Sequence, residues 1–209
     1  MSTLIKFCGA TGWPDVDLAL RCGADAFGMI FAPSPRRIGW NDAEEIAKRV
    51  DDRIAAVAVF VNPRREDVGR VRDMFPSTVV QLSGEETPEF AASLGGRIVK
   101  TFHVGSESPA ELDAMCARYP CALPLFDTKS MGMYGGTGLT FEWARIADLA
   151  RRRNVVIAGG LCASNVGVLV RIVRPYGVDV RSGIETDGRK DVQKMRAFVR
   201  AVRDNDAPR

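Results

Sequence analysis

Short apolar runs rich in β-branched residues alternate along this chain with longer amphipathic stretches, and no other feature limits the possible folds so strongly. The apolar runs fall at 4–8, 26–31, 54–61, 78–82, 97–102, 121–126, 155–158 and 178–181. Near-continuous apolar runs of this length suit parallel strands buried on both faces. Between and after them, helices are predicted at 15–21, 41–50, 64–74, 88–94, 109–118, 140–152, 163–173 and about 191–202, with Asn41 and Ser108 as N-caps. Strict alternation of this kind demands a parallel sheet, and eight βα units in 209 residues point to an α/β (β/α)8 barrel, the TIM barrel, as a single domain over 1–203 with a frayed polar tail at 204–209. A doubly wound open sheet is the competing architecture. Phe7-Cys8-Gly9-Ala10-Thr11-Gly12 after the first strand is no GxGxxG fingerprint, which counts against it.

Composition narrows the function. The formal charge is +3 and no basic block exceeds Arg151-Arg152-Arg153, so nucleic acid is not an expected partner. No run approaches the roughly 18 apolar residues of a membrane span, and the first residues lack a basic segment followed by a long apolar one, so neither a membrane nor a secretory route is expected. The five cysteines are irregularly spaced with no CxxC pair, which suits reduced thiols in a cytoplasm. A single histidine, His103, argues against most zinc sites and leaves Cys, Asp, Glu and Lys as the expected acids and bases.

In a barrel of this kind the active site lies at the C-terminal ends of the strands. Polar residues and glycines gather there: Cys8-Gly9, Ser34-Pro35-Arg36, Gln81-Leu82-Ser83-Gly84, His103, Asp127, Gly159-Gly160 and Asp179-Val180-Arg181-Ser182-Gly183. Alternation puts Lys6 with Cys8 on one face, Leu125 with Asp127 on another, and Asp179 with Arg181 on a third. Taken alone, Cys8 reads first as a small buried packing residue and His103 first as a satisfied loop residue rather than a base, while Asp127 reads equally as a loop cap or as a working carboxylate. Cys22, Cys116 and Cys162 read as packing. Gly159-Gly160 and Ser182-Gly183 follow the seventh and eighth runs, where barrels commonly bind phosphate, because glycine lets backbone N–H groups approach oxygens closely. Gly135-Gly136-Thr137-Gly138 joins them more weakly. There is no GxxxxGK[ST] loop for a nucleoside triphosphate.

Taken in order, Lys6-Phe7-Cys8-Gly9-Ala10-Thr11, Gly28-Met29-Ile30-Phe31, Ser34-Pro35-Arg36, Val59-Phe60-Val61-Asn62, Gln81-Leu82-x-Gly84-Glu85, Asp127, Gly135-Gly136-Thr137-Gly138, Ala158-Gly159-Gly160-Leu161, Ser182-Gly183-Ile184-Glu185 and Lys190-Asp191 resemble the phosphoribosylanthranilate isomerase family over essentially the whole chain. The resemblance implies an isomerase of tryptophan biosynthesis, hence of aromatic amino acid biosynthesis, that performs an Amadori rearrangement without metal or cofactor. It implies Cys8 as general base and Asp127 as general acid, and Arg36 on the anthranilate carboxylate. The glycine loops, including Gly136, Gly159, Gly160 and Gly183, would surround the phosphate with Asp179 and Ser182. Gln81, Ser83 and Arg181 complete the expected substrate contacts. The expected partner is a small phosphorylated substrate, bound by a monomer or homodimer. A thiol is mostly protonated at neutral pH, so Lys6 or nearby N–H dipoles are expected to favour the thiolate.

The chain also departs from the pattern: Ser83 stands where the QLHG motif has His, and Arg181 where a Ser precedes Ser182. The loop at Ser34-Pro35-Arg36 is one residue shorter, which opens the carboxylate role to Arg37 as well. Arg181 is expected to face the mouth near the phosphate loops, the alternative being a pair with Glu185. A paralogous isomerase of another phosphorylated aminosugar and a non-catalytic phosphate-binding barrel are the other readings.

Overall fold

The computed structural model describes residues 2–127 and 138–206. Eight parallel strands close on themselves in sequence order: β1 (Leu4–Cys8), β2 (Ala26–Ile30), β3 (Ala55–Phe60), β4 (Val79–Leu82), β5 (Ile98–His103), β6 (Ala122–Asp127), β7 (Val156–Ala158) and β8 (Gly177–Val180). Pairing of β1 with β8, Leu4 opposite Gly177 and Lys6 opposite Asp179, excludes the open sheet. The helices are α1 (Trp13–Cys22), α2 (Trp40–Ala47), α3 (Arg65–Met74), α4 (Pro88–Leu94), α5 (Pro109–Ala117), α6 (Gly138–Arg152), α7 (Val166–Val173) and α8 (Val192–Arg203). Among the described residues, no helix is long and apolar enough to cross a membrane.

Strand alternation sorts the core into two layers. Ile5 and Phe7 of β1 face outward onto the helices, where Phe7 meets Phe198 of α8 edge-on at 6.2 Å. Cys8, Ala26, Ile30, Val57 and Val59 fill one part of the interior, and Val99, Leu125, Val156 and Ala158 another. On the outer side of β5, Lys100 is buried against Glu86 at 2.7 Å. The same carboxylate accepts from the backbone N–H groups of Asn62 (2.8 Å) and Gly84 (3.0 Å), so one ion pair ties together the loops that follow β3 and β4.

Three expectations need correction. Asn41 lies inside α2: Trp40, its ring 4.8 Å from that of Phe31, already belongs to the helix, and extended Gly39 takes the cap position without a side-chain bond. Ser108 does cap α5, in a reciprocal box with Glu111. The eighth strand ends at Val180, because the backbone turns at Arg181 into a 3-10 turn (Ser182–Ile184). A short hairpin, β9 (Glu185–Thr186) and β10 (Arg189–Lys190), follows. Within the polar tail, Asp206 is tied down rather than frayed: its carboxylate accepts from the backbone N–H of Thr3 (2.6 Å) and from its hydroxyl (2.8 Å), while 207–209 lie outside the described residues.

Candidate active site

A cavity of about 300 Å³ opens at the C-terminal mouth of the barrel. It brings together Cys8 from β1, Gln81 and Ser83 from the end of β4, Asp127 from β6, Gly159 and Gly160 after β7, and Asp179, Arg181 and Ser182 from β8 and beyond. Gly136 lies outside the described residues. Gly183 sits behind the lining, where a Cβ would fall onto the carbonyl oxygen of Leu161, so the loops after β7 and β8 touch at this point. Gly159 and Gly160 adopt φ values of 93° and 62°, which side chains disfavour.

Cys8 has a charged neighbourhood inside an otherwise apolar barrel. Lys6 Nζ donates to Asp179 Oδ2 at 2.8 Å, and both side chains are buried. Gly28, opposite Cys8 in β2, makes room for them: a Cβ there would stand 2.9 Å from Cys8 Sγ and 3.1 Å from Lys6 Nζ. Burial pushes the Cys8 thiol above its ordinary range, and the charge of Asp179 adds to it. Lys6 and, more weakly, Lys190 pull the other way. The expected help from Lys6 is therefore present but smaller than the desolvation it works against, and Cys8 rests as a thiol. Burial opposes the charge on Lys6 too, yet Asp179 and Cys8 together carry its pKa above the usual value.

Asp127 closes β6 in register with His103, whose Nδ1 stands 3.8 Å from Asp127 Oδ2, beyond hydrogen-bond reach. His103 is exposed at the rim. Arg36 is held by Glu185, with its Nη2 2.8 Å from Oε2, and does not line the cavity. Arg37 donates its backbone N–H to the Ser34 carbonyl. Burial disfavours the charged form of Glu185, but hydrogen bonds from Arg36 and Lys190 outweigh it and hold that carboxyl below the usual range. With Glu185 so occupied, Arg181 does not pair with it. Instead its stem packs against Gly9, Cγ 3.4 Å from where a Cβ would be, and it lines the mouth. Asp179 lies beside Lys6 inside β8, three residues ahead of Ser182, the phosphate-loop residue assigned with it.

Sequence reasoning missed two residues. Thr101, a buried hydroxyl in β5, lines the cavity; its signal was a polar residue two positions from Val99 in an apolar run. Lys190, quoted from the sequence only as part of the Lys190-Asp191 match and given no role, donates its Nζ to the carbonyl oxygen of Cys8 at 2.5 Å, a long-range contact that no local pattern signals. Cys22 and Cys116 are packing residues as expected, and burial raises the Cys116 thiol to about 11. Among the described residues, no cluster of three or more His, Cys, Asp or Glu side chains is arranged to hold a metal ion.

The sequence profile of N-(5'phosphoribosyl)anthranilate (PRA) isomerase matches residues 5–201. The chain belongs to the phosphoribosylanthranilate isomerase family. A family member from Desulforudis audaxviator is 40% identical over 202 residues, covering 97% of this chain and 98% of the relative. The crystal structure of phosphoribosylanthranilate isomerase from Thermotoga maritima superposes with a TM-score of 0.84 at 33% identity, covering 97% of this chain and 99% of that one. A further isomerase structure, in complex with reduced 1-(o-carboxyphenylamino)-1-deoxyribulose 5-phosphate, superposes at 0.83 with 30% identity and the same coverage.

Proposed function

We propose that Cys8 and Asp127 divide between them the proton transfers of an Amadori rearrangement. The chain is an aldose–ketose isomerase of tryptophan biosynthesis acting on N-(5'-phosphoribosyl)anthranilate. Ring opening needs a proton on the ribose ring oxygen as the C1–O bond breaks, and the Asp127 carboxyl supplies it. The nitrogen lone pair then forms a protonated Schiff base with C1. Its positive charge acidifies the C2 proton, which the Cys8 thiolate removes, and the electrons of that bond form the enolamine. Ketonisation at C2 and protonation at C1 give 1-(o-carboxyphenylamino)-1-deoxyribulose 5-phosphate.

The observation that carries this reading is that one cavity is lined by both Cys8 and Asp127, with paired glycines and Ser182 on its β7–β8 side. The backbone N–H groups there suit the phosphate, and the guanidinium of Arg181 suits the same anion. Arg36 keeps N–H groups beyond those bound to Glu185 and is assigned the anthranilate carboxylate. Gln81, Ser83 and Asp179 contact the sugar and aromatic portions. The five free cysteines suit a reducing compartment, and we assign the reaction to the cytoplasm.

The test is steady-state turnover of phosphoribosylanthranilate by the wild type, Cys8→Ser and Asp127→Asn, with folding checked by circular dichroism. Each variant should lose about 10²–10⁴-fold or more in kcat while keeping its fold. A well-folded variant with near-normal kcat removes that residue from the mechanism. Failure of the wild type to complement a tryptophan auxotroph lacking the isomerase would overturn the assignment itself.

A further inference from the structure

Beneath the mouth, three polar side chains form a closed triangle. Gln81 Nε2 lies 3.2 Å from Ser83 Oγ and 3.2 Å from Thr101 Oγ1, and the two hydroxyl oxygens are 2.9 Å apart. Counting hydrogens fixes how the triangle works. Its three contacts need three hydrogens. With the amide nitrogen toward the hydroxyls, Gln81 supplies two and one hydroxyl supplies the third. The reversed amide would leave only the two hydroxyl hydrogens for three contacts, so one pair of oxygens would face each other without a bridging hydrogen. The orientation in the structure is the one that satisfies all three contacts of the triangle, and it leaves Gln81 Oε1 buried without a hydrogen-bond partner among the described residues.

One hydroxyl hydrogen is then left over. Thr101 is almost wholly buried, whereas Ser83 is partly exposed at the cavity wall. When Thr101 donates to Ser83, both lone pairs of Ser83 Oγ are filled, one by Gln81 and one by Thr101. The hydrogen of Ser83 is then its sole remaining valence for a ligand, and two inward donors polarise it toward an acceptor. The backbone holds that hydroxyl firmly: Ser83 N–H donates to the Phe60 carbonyl at 2.8 Å, and the next residue, Gly84, is clamped by Glu86 and Lys100.

We infer that Thr101 and Gln81 are positioning residues that turn Ser83 into a hydrogen-bond donor to an acceptor oxygen of the substrate's sugar–anthranilate body. The phosphate is not that acceptor. Ser83 follows β4, and in the closed ring β4 stands four strands from β8, across the mouth from the Ser182 turn. The inference rests on the isomerase reading of the site; it gives Thr101, which that reading leaves without a role, a function, and it says how Gln81 and Ser83 divide theirs. It also accounts for how a serine serves at a position where the QLHG motif carries a ring nitrogen.

The experiment compares wild type, Thr101→Val, Thr101→Ser, Ser83→Ala and the double variant Ser83→Ala/Thr101→Val, with phosphoribosylanthranilate as substrate and inorganic phosphate as competing inhibitor. Thr101→Val keeps the shape and removes the inward donor. It should raise KM roughly three- to tenfold with little change in kcat, and Thr101→Ser should restore it. In the Ser83→Ala background, Thr101→Val should have no further effect on KM, the signature of residues acting through one another. Inhibition by inorganic phosphate should be the same in all. Wild-type KM in Thr101→Val or in Ser83→Ala overturns the inference, as does a Thr101→Val effect undiminished without the serine hydroxyl, which would mean packing alone. Weakened phosphate inhibition in these variants would overturn the placement across the mouth. A wild type that leaves phosphoribosylanthranilate unchanged overturns the isomerase reading, and this inference with it, a result distinct from all the others.

Discussion

At Cys8 two requirements compete. A base for carbon acids gains from the thiolate, while the dry interior that excludes water favours the thiol. Lys6 narrows the gap without closing it, because its ammonium is shared with Asp179 at 2.8 Å. The direction of the shift fixes a pH profile. Since the thiol sits above an ordinary value near 9, the limb of kcat/KM controlled by thiolate formation should still be rising above about pH 9. Lys6→Met removes the strongest pull toward the thiolate and leaves the Asp179 charge in place, so its limb should move further alkaline. A plateau already complete by pH 8 in the wild type, or a limb unmoved in Lys6→Met, would contradict this account.

Among the elements, the loops after β7 and β8 form one unit. Gly183 has no unusual φ; what it lacks is space, since a side chain there would strike the Leu161 carbonyl. Gly159 and Gly160 are held instead by backbone conformation, with positive φ. Substituting Gly183 by Ala therefore forces the two loops apart. Overpacking of this kind costs about 1–3 kcal/mol, so Gly183→Ala should melt at lower temperature and weaken inhibition by inorganic phosphate by about tenfold. Unchanged phosphate inhibition would separate this turn from the phosphate site. The loops after β3 and β4 are tied by different means, the buried Lys100–Glu86 pair, which fixes Ser83 from behind.

Across the whole molecule, closure depends on the last helix. α8 buries Met195, Phe198 and Val202 completely, and Phe198 packs on Phe7 of the first strand. Arg203 and Asp206 then bond to Thr3. Each large apolar side chain contributes roughly 1.5–3 kcal/mol on burial, so the three together rival a typical stability of about 5–15 kcal/mol. A chain ending at residue 190 should show no cooperative melting transition and no near-ultraviolet circular dichroism. A cooperative melt in that truncated chain would mean that the barrel closes without α8.

Alternating parallel strands and helices, and most of the residues that line the cavity, were legible in the amino-acid order alone. Eight apolar runs such as 26–31 and 54–61 could be buried only as parallel strands under helices, and the polar residues that line the cavity stand at the C-terminal ends of those strands or just after them. Cys8, Asp127 and the glycine pairs were legible because they punctuate apolar runs at those ends. Which charges meet depended on the closed barrel. Lys6 with Asp179, Arg36 with Glu185, and Lys190 with the Cys8 carbonyl join residues from 149 to 182 positions apart only where Arg36 reaches the hairpin and β1 meets β8. Periodicity fixes the face of a side chain but not its partner. The resting state of Cys8, the occupied guanidinium of Arg36 and the Gln81–Ser83–Thr101 triangle depend on distances across a closed barrel, and such distances exist only once the ring is shut.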